Sequence, residues 1–443
     1  MAESKEKKQT ILNAFVMNTP AHMAPGQWRY SRNKTADYTK LSFWTDLAKL
    51  LDNAGFHAMF IADKLGPYDV YKGAANVVPA LASGAHTTKN LIFGVTASLT
   101  YEQPYSLARR FSTVDHLSEG RVAWNIVTKL PGQRGYLDSA ARNHGLDEQI
   151  PHDERYNRAH EYMEVLYKLA ACTFAPDAVR QIHHKGKYFK AGVIDAGNGF
   201  GGKHGEAIFV AGQTPEGVRS TVDNIRRVAA SEARDPNHVK IIVGITLIVA
   251  ATDEEAYAKR EEYLRYEDHE GVLALFGGWT GIDLSKFDDD ADFRFADEPQ
   301  VASIVNCWAS TVPGTENLPW TKRRIAVFLS VGGIQTKIIR SGKTVADELE
   351  RRVEISGVDG FNPAHITNPG SFEDILEFLL PELRARGLFR ETAEKEGATA
   401  REAYLGVGQV RLPEDHPGTN DTSISFSYKQ EQPPASAHTA MQT

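Results

Sequence analysis

The sequence predicts an α/β fold, most economically a TIM-type (β/α)8 barrel with long insertions. Three observations predict it. Short runs rich in β-branched residues alternate with longer amphipathic segments, and the second to fourth of those runs end in polar residues. A chain of 443 residues with 42% hydrophobic positions can also bury a large core.

In chain order, residues 10–17 (TILNAFVM) read as a first strand, and residues 41–54 as a helix with Phe43, Leu47, Leu50 and Leu51 on one apolar stripe. Residues 57–63 (HAMFIAD), 91–98 and 121–128 (RVAWNIVT) read as the second to fourth strands. Residues 104–117 form a helix closed by Glu119-Gly120, and 152–170 another, with Tyr156, His160, Met163 and Tyr167 on one side. Residues 207–211, 240–249 and 360–366 are three further strands, with helices expected at 214–231, 252–266, 344–356 and 371–386. The count reaches seven strands, and the missing one should fall within residues 171–203, which are rich in Gly and His. Residues 127–143 and 277–342 read as irregular excursions. Residues 1–9 and the polar, proline-bearing stretch 413–443 read as disordered ends of a single domain at 10–412.

Fifty Lys and Arg stand against fifty-seven Asp and Glu, a formal charge of −7, so nothing pulls the chain towards nucleic acid. The longest apolar run, 241–251, is too short to span a bilayer, and residues 1–9 lack the apolar core of a signal peptide. Cys172 and Cys307, the two cysteines, exclude a disulfide framework and suit a reducing compartment, so a soluble cytoplasmic protein is expected.

Chemistry in a barrel of this kind sits where strands end. Asp63 ends the second strand, where a carboxylate could point into the mouth or simply cap a helix or pair with an arginine. Thr96 and Ser98 end the third strand, Asn125 and Thr128 the fourth. Short polar side chains there would suit a planar heteroaromatic ligand with carbonyl and NH edges, and equally would cap loops. His152 and Tyr156 open a helix whose free NH groups could meet an anion. His22 and Tyr68 lie in loops that could reach the mouth. Residues 197–204 nearly spell a phosphate-binding GxxxxGK[ST], but His204 replaces the magnesium-binding hydroxyl, which argues against an ATPase. His183, His184 and His204 lack a zinc-like spacing, so no metal site is expected.

The segments at 11–18 (ILNAFVMN), 26–29 (GQWR), 60–71 (FIADKLGPYDVY), 94–128 (GVTASLTYEQPYSLARRFSTVDHLSEGRVAWNIVT), 152–156 (HDERY), 186–189 (GKYF) and 235–240 (DPNHVK) together resemble one family. It is the bacterial-luciferase-like flavin monooxygenases, in the branch of nitrilotriacetate monooxygenase component A, dibenzothiophene-sulfone monooxygenase and long-chain alkane monooxygenase. The resemblance implies a TIM barrel that takes reduced FMN from a separate NAD(P)H-dependent flavin reductase. It also implies a peroxyflavin, formed with O2, that inserts one oxygen atom into a small organic substrate, and a homodimer or homotetramer. By motif, Ala62, Asp63, Thr96, Asn125 and Tyr156 would lie around the flavin with His152 nearby, and His22 and Tyr68 would face the reaction centre.

The chain departs from the family pattern in several places. Lys129 and Leu275 stand where relatives carry histidines, and the family's fifth strand with its phosphate-binding serines is shortened or missing between Val193 and Ala196. Asn198 and Gly199 are the remaining candidates for a phosphate. An inactive or unstable barrel that no longer binds flavin is the alternative that these gaps raise, and an F420-dependent oxidoreductase is a further one.

Overall fold

The computed structural model describes residues 8–20, 23–63, 68, 70, 71, 88–128, 138–173, 198–312, 315 and 317–419. Its centre is one curled sheet of eight parallel strands. These are β1 (Ile11–Met17), β2 (Ala58–Ala62), β3 (Ile92–Ser98), β4 (Val122–Val127), β5 (Ala207–Val210), β6 (Lys240–Ala250), β7 (Thr336–Ser341) and β8 (Gly360–Ala364). The order along the sheet is β4-β3-β2-β1-β8-β6-β5, with β7 alongside β6.

Seven of these strands are the ones that the hydrophobic runs predict. The eighth is not the strand expected within 171–203, most of which lies outside the described residues. It is β7, which joins the upper half of the long β6 (Ile245↔Thr336 to Ala250↔Ser341), while β5 takes the lower half (Ala207↔Lys240 to Val210↔Val243). Among the described residues no ladder joins β4 to β5.

The curl is visible in side chains that meet across the interior. Phe60 of β2 lies four steps along the sheet from Phe209 of β5, yet their ring centroids are 4.3 Å apart, with Phe15 of β1 at 5.5 Å from Phe60. Gly94 of β3 makes room for this plug, because a Cβ there would come within 2.8 Å of the Phe60 ring.

The outer face of the sheet is covered by helices whose stripes complete the main core. Trp44, Leu47 and Leu51 come from α1 (Leu41–Asn53), and Val218, Val222 and Ile225 from the helix at Pro215–Ser231. Val345, Ala346 and Leu349 come from the helix at Gly342–Ser356. A second core lies under α2 (Pro104–Leu117) and the helix at His152–Thr173, where Leu107, Tyr162 and Met163 meet Ala97 and Leu99. The helical stretch Gly370–Ala385 passes through a π turn at Ile375–Leu379. Pro381, which has no N–H to give, accounts for that local widening.

The region 277–342, expected to be irregular, instead holds helices with a core of their own, followed by β7. His269–Thr280, Pro299–Thr311 and Lys322–Leu329 surround Phe276, Trp308 and Trp320. The ends also depart from expectation. Lys8 is ion-paired to Asp359 at 2.6 Å, Asp415 accepts from His238 at 2.9 Å, and His416 donates to the carbonyl of His204 at 3.0 Å, so the described chain runs beyond 412 to Thr419. Among the described residues no helix is long and apolar enough to cross a membrane.

Candidate active site

All ladders are parallel, so the strands' C-terminal ends share one rim. In-register pairing puts Met17, Ala62, Thr96 and Asn125 in one row near that rim, directly above the row of Phe15, Phe60 and Gly94. The lower row supplies an apolar floor and the upper row supplies polar groups.

The upper row is held by a chain of hydrogen bonds. Thr96 Oγ1 donates to the carbonyl of Ile61 at 2.7 Å, and Asn125 Nδ2 donates to Thr96 Oγ1 at 2.9 Å. A hydroxyl has a single proton, so Thr96, having given it to Ile61, can only accept from Asn125. That fixes the amide with nitrogen towards Thr96 and leaves Asn125 Oδ1 as an acceptor with no partner among the described residues. At the end of β1, Asn18 is buried and its Oδ1 also lacks a partner among the described residues.

Asp63 follows β2 and is half-buried, next to Ala62 on the rim. Tyr68 lies apart from that row on the helical insertion: a Cβ built on Gly278 would overlap its ring carbons, so the glycine is the seat of the tyrosine. Its neighbour Tyr71 donates to Glu270 at 2.6 Å, and burial with that carboxylate pushes its phenol above the usual range. Tyr156 is buried beside Phe200, 6.2 Å between centroids, in the core beneath α2.

His152, Asn198 and Gly199 are placed only as the first residues of helices at His152–Thr173 and Asn198–His204, and the side chains of His152 and Asn198 are outside the described set. His22 lies outside the described residues. In the glycine-rich segment, His204 uses both ring nitrogens within the protein, with His160 Nδ1 at 3.0 Å and Tyr167 Oη at 2.9 Å. Burial, then the neighbouring cations, lowers its pKa to about 2. Among the described residues no group of three or more His, Cys, Asp or Glu could hold a metal.

Two rim features carry no signal in the sequence. Tyr101, after β3, stacks on His144 with centroids 4.7 Å apart and planes 20° apart. His144 Nδ1 donates to the carbonyl of Ala140 at 2.8 Å, since a carbonyl oxygen can only accept. At the end of β8, His365 is buried against the carbonyl of Phe15 and its pKa falls to about 4 through desolvation. Neither histidine stands in a recognisable motif, and each is brought to the rim by pairing with distant chain.

Residues 22–275, more than half of the chain, match the model of the luciferase-like monooxygenase family. The chain belongs to that family. It is similar to the dimethyl-sulfide monooxygenase of Hyphomicrobium sulfonivorans, with 38% identity over 93% of each chain. It is also similar to the long-chain alkane monooxygenase of Geobacillus thermodenitrificans, with 37% identity over 94% of this chain and 99% of the relative. The crystal structure of DmoA from Hyphomicrobium sulfonivorans superposes with a TM-score of 0.83 at 34% identity, covering 97% of this chain and 99% of that one. A riboflavin lyase solved with modified FMN and riboflavin gives a TM-score of 0.77 at 27% identity, covering 93% and 99%. Like its family, this luciferase-like protein is a flavin-dependent monooxygenase.

Proposed function

We propose that the protein takes reduced FMN from a separate NAD(P)H-dependent flavin reductase and uses O2 to insert one oxygen atom into a small organic substrate. The observation that carries the reading is the ordered Asn125–Thr96–Ile61 chain standing above an aromatic floor. The pyrimidine edge of an isoalloxazine ring alternates carbonyl and N–H groups. Asn125 Oδ1, with no partner among the described residues, can accept from such an N–H, and the small Ala62 leaves space beside it.

Bound there, reduced flavin supplies the electrons that activate O2. The protein's part is to orient the ring edge through Thr96 and Asn125, supply an apolar floor with Phe15 and Phe60, and border the space beyond with Tyr68. Asp63, Tyr156, His152, Asn198 and Gly199 complete the proposed flavin environment, and His22 joins Tyr68 at the reacting end. The solved relative that carries modified FMN supports FMN as the flavin. A separate reductase is supported by the likeness to nitrilotriacetate monooxygenase component A, at 27% identity, whose name marks it as one part of a larger system.

Anaerobic titration with reduced FMN tests the reading. Asn125→Leu should weaken binding about tenfold, the worth of one hydrogen bond in a dry site, while leaving the circular dichroism spectrum unchanged. Equal affinity in the variant would remove the row from the site. The absence of a β4–β5 ladder among the described residues favours a second reading, a barrel that binds no flavin. In that case wild-type protein would show no saturable response in the same titration.

A further inference from the structure

At the opposite end of the barrel, where the strands begin, a cavity of about 240 Å³ opens beneath the segment that follows the last sheet helix. Its walls include His57, Lys240, Asp359, Arg390, Glu402 and Tyr404. Lys8, Lys240, Arg390 and Lys395 stand against Asp359, Glu394 and Glu402, a surplus of one positive charge.

The carboxylates are largely committed. Asp359 accepts from Lys8 Nζ at 2.6 Å and from the Ile241 N–H at 2.8 Å. Glu402 accepts from Lys395 Nζ at 2.7 Å and from the N–H groups of Thr399 and Gly408 at 3.0 and 3.1 Å. Glu394 is exposed to solvent.

Each of the donors keeps a nitrogen to spare. Lys240 is half-buried and its ammonium has no hydrogen-bond partner among the described residues. Arg390 gives Nε to the carbonyl of Gly55 at 2.9 Å and one terminal nitrogen to that of Phe56 at 3.0 Å, leaving Nη1 unused among the described residues. His57 accepts at Nδ1 from the Leu12 N–H at 3.2 Å, so the ring's proton must be on Nε2, which has no acceptor among the described residues.

A half-buried ammonium, a fork nitrogen and a ring N–H, on residues that all line one small cavity, match the oxygens of an anion. We propose that this cavity binds a small oxyanion, a carboxylate or a phosphate, through Lys240, Arg390 and His57. Such a ligand ties the segment around Arg390, Glu402 and Tyr404 to the first residues of β1 and β6, and binding to the folded state alone raises stability by mass action.

The test is thermal unfolding and calorimetric titration of flavin-free protein with inorganic phosphate, with acetate, and with chloride at matched ionic strength. A saturable rise in Tm with phosphate, acetate or both, absent with chloride, is expected, and the anion that gives it identifies the ligand's chemistry. Lys240→Gln should raise the Kd for that anion at least tenfold, and Lys240→Arg should stay within threefold of wild type. Should Lys240→Gln not fold, the Lys240→Arg variant together with competition between the two anions in wild-type protein decides the matter. No response beyond chloride, or a Kd unmoved by Lys240→Gln, overturns the site.

Discussion

Gly278 shows what a single residue can decide. Alanine is the better helix former by about 1 kcal/mol, so an exposed helical glycine normally gains from Gly→Ala. Here the added methyl must displace the ring of Tyr68. Gly278→Ala should therefore lower stability by about 1 kcal/mol or more in urea unfolding and reduce turnover with a good substrate. A stabilised, fully active variant would show that Tyr68 does not need this seat. Thr96 and Asn125 were legible in the sequence because polar residues closing an apolar run can be counted from the strand alone. The seat of Tyr68, the Tyr101–His144 stack and the Asn18 oxygen that lacks a partner among the described residues were not, because each depends on chain more than forty positions away or on a loop conformation.

Among the elements, the strands with continuous apolar runs were readable, and β7 was not. TKIIRS is six residues long with only two apolar positions, and it is a strand only because the upper half of β6 offers an open edge. Lys337 is the clearest sign of that tertiary demand. Its ammonium donates to the carbonyl of Gly333 at 2.6 Å and lies 3.7 Å from the centre of the Phe328 ring, and burial lowers its pKa to about 7. Between pH 7 and the unfolded value near 10.4 the unfolded chain holds a proton that the native lysine has released, so stability from this group rises with pH in that window. Lys337→Met should keep the fold and raise stability at pH 7 by roughly 1–3 kcal/mol in denaturant titration. A loss instead would mean that the ammonium's contacts outweigh its desolvation. The helices at 269–329 escaped the sequence reading for a related reason. His269–Thr280 carries buried residues on every side, together with a glycine pair, so it has no apolar stripe to find.

For the molecule as a whole, acid sensitivity follows from histidines buried in neutral form. Burial lowers the pKa of His57, His416, His365 (to about 4) and His204 (to about 2). Below pH 6.5 the unfolded chain takes up protons that these native rings refuse, so their contribution to stability is lost as pH falls. Each should cost about 1 kcal/mol between pH 7.5 and 5.5, roughly 4 kcal/mol together, measurable as a drop in the urea midpoint. A flat profile across that interval would show that the rings are hydrated.

The contacts of Phe60 have a mechanical consequence. It touches one ring from β1 and another from β5, so distant parts of the curled sheet lean on each other across the interior. A change at either neighbour is felt on both sides at once, without passing along the hydrogen-bonded ladders.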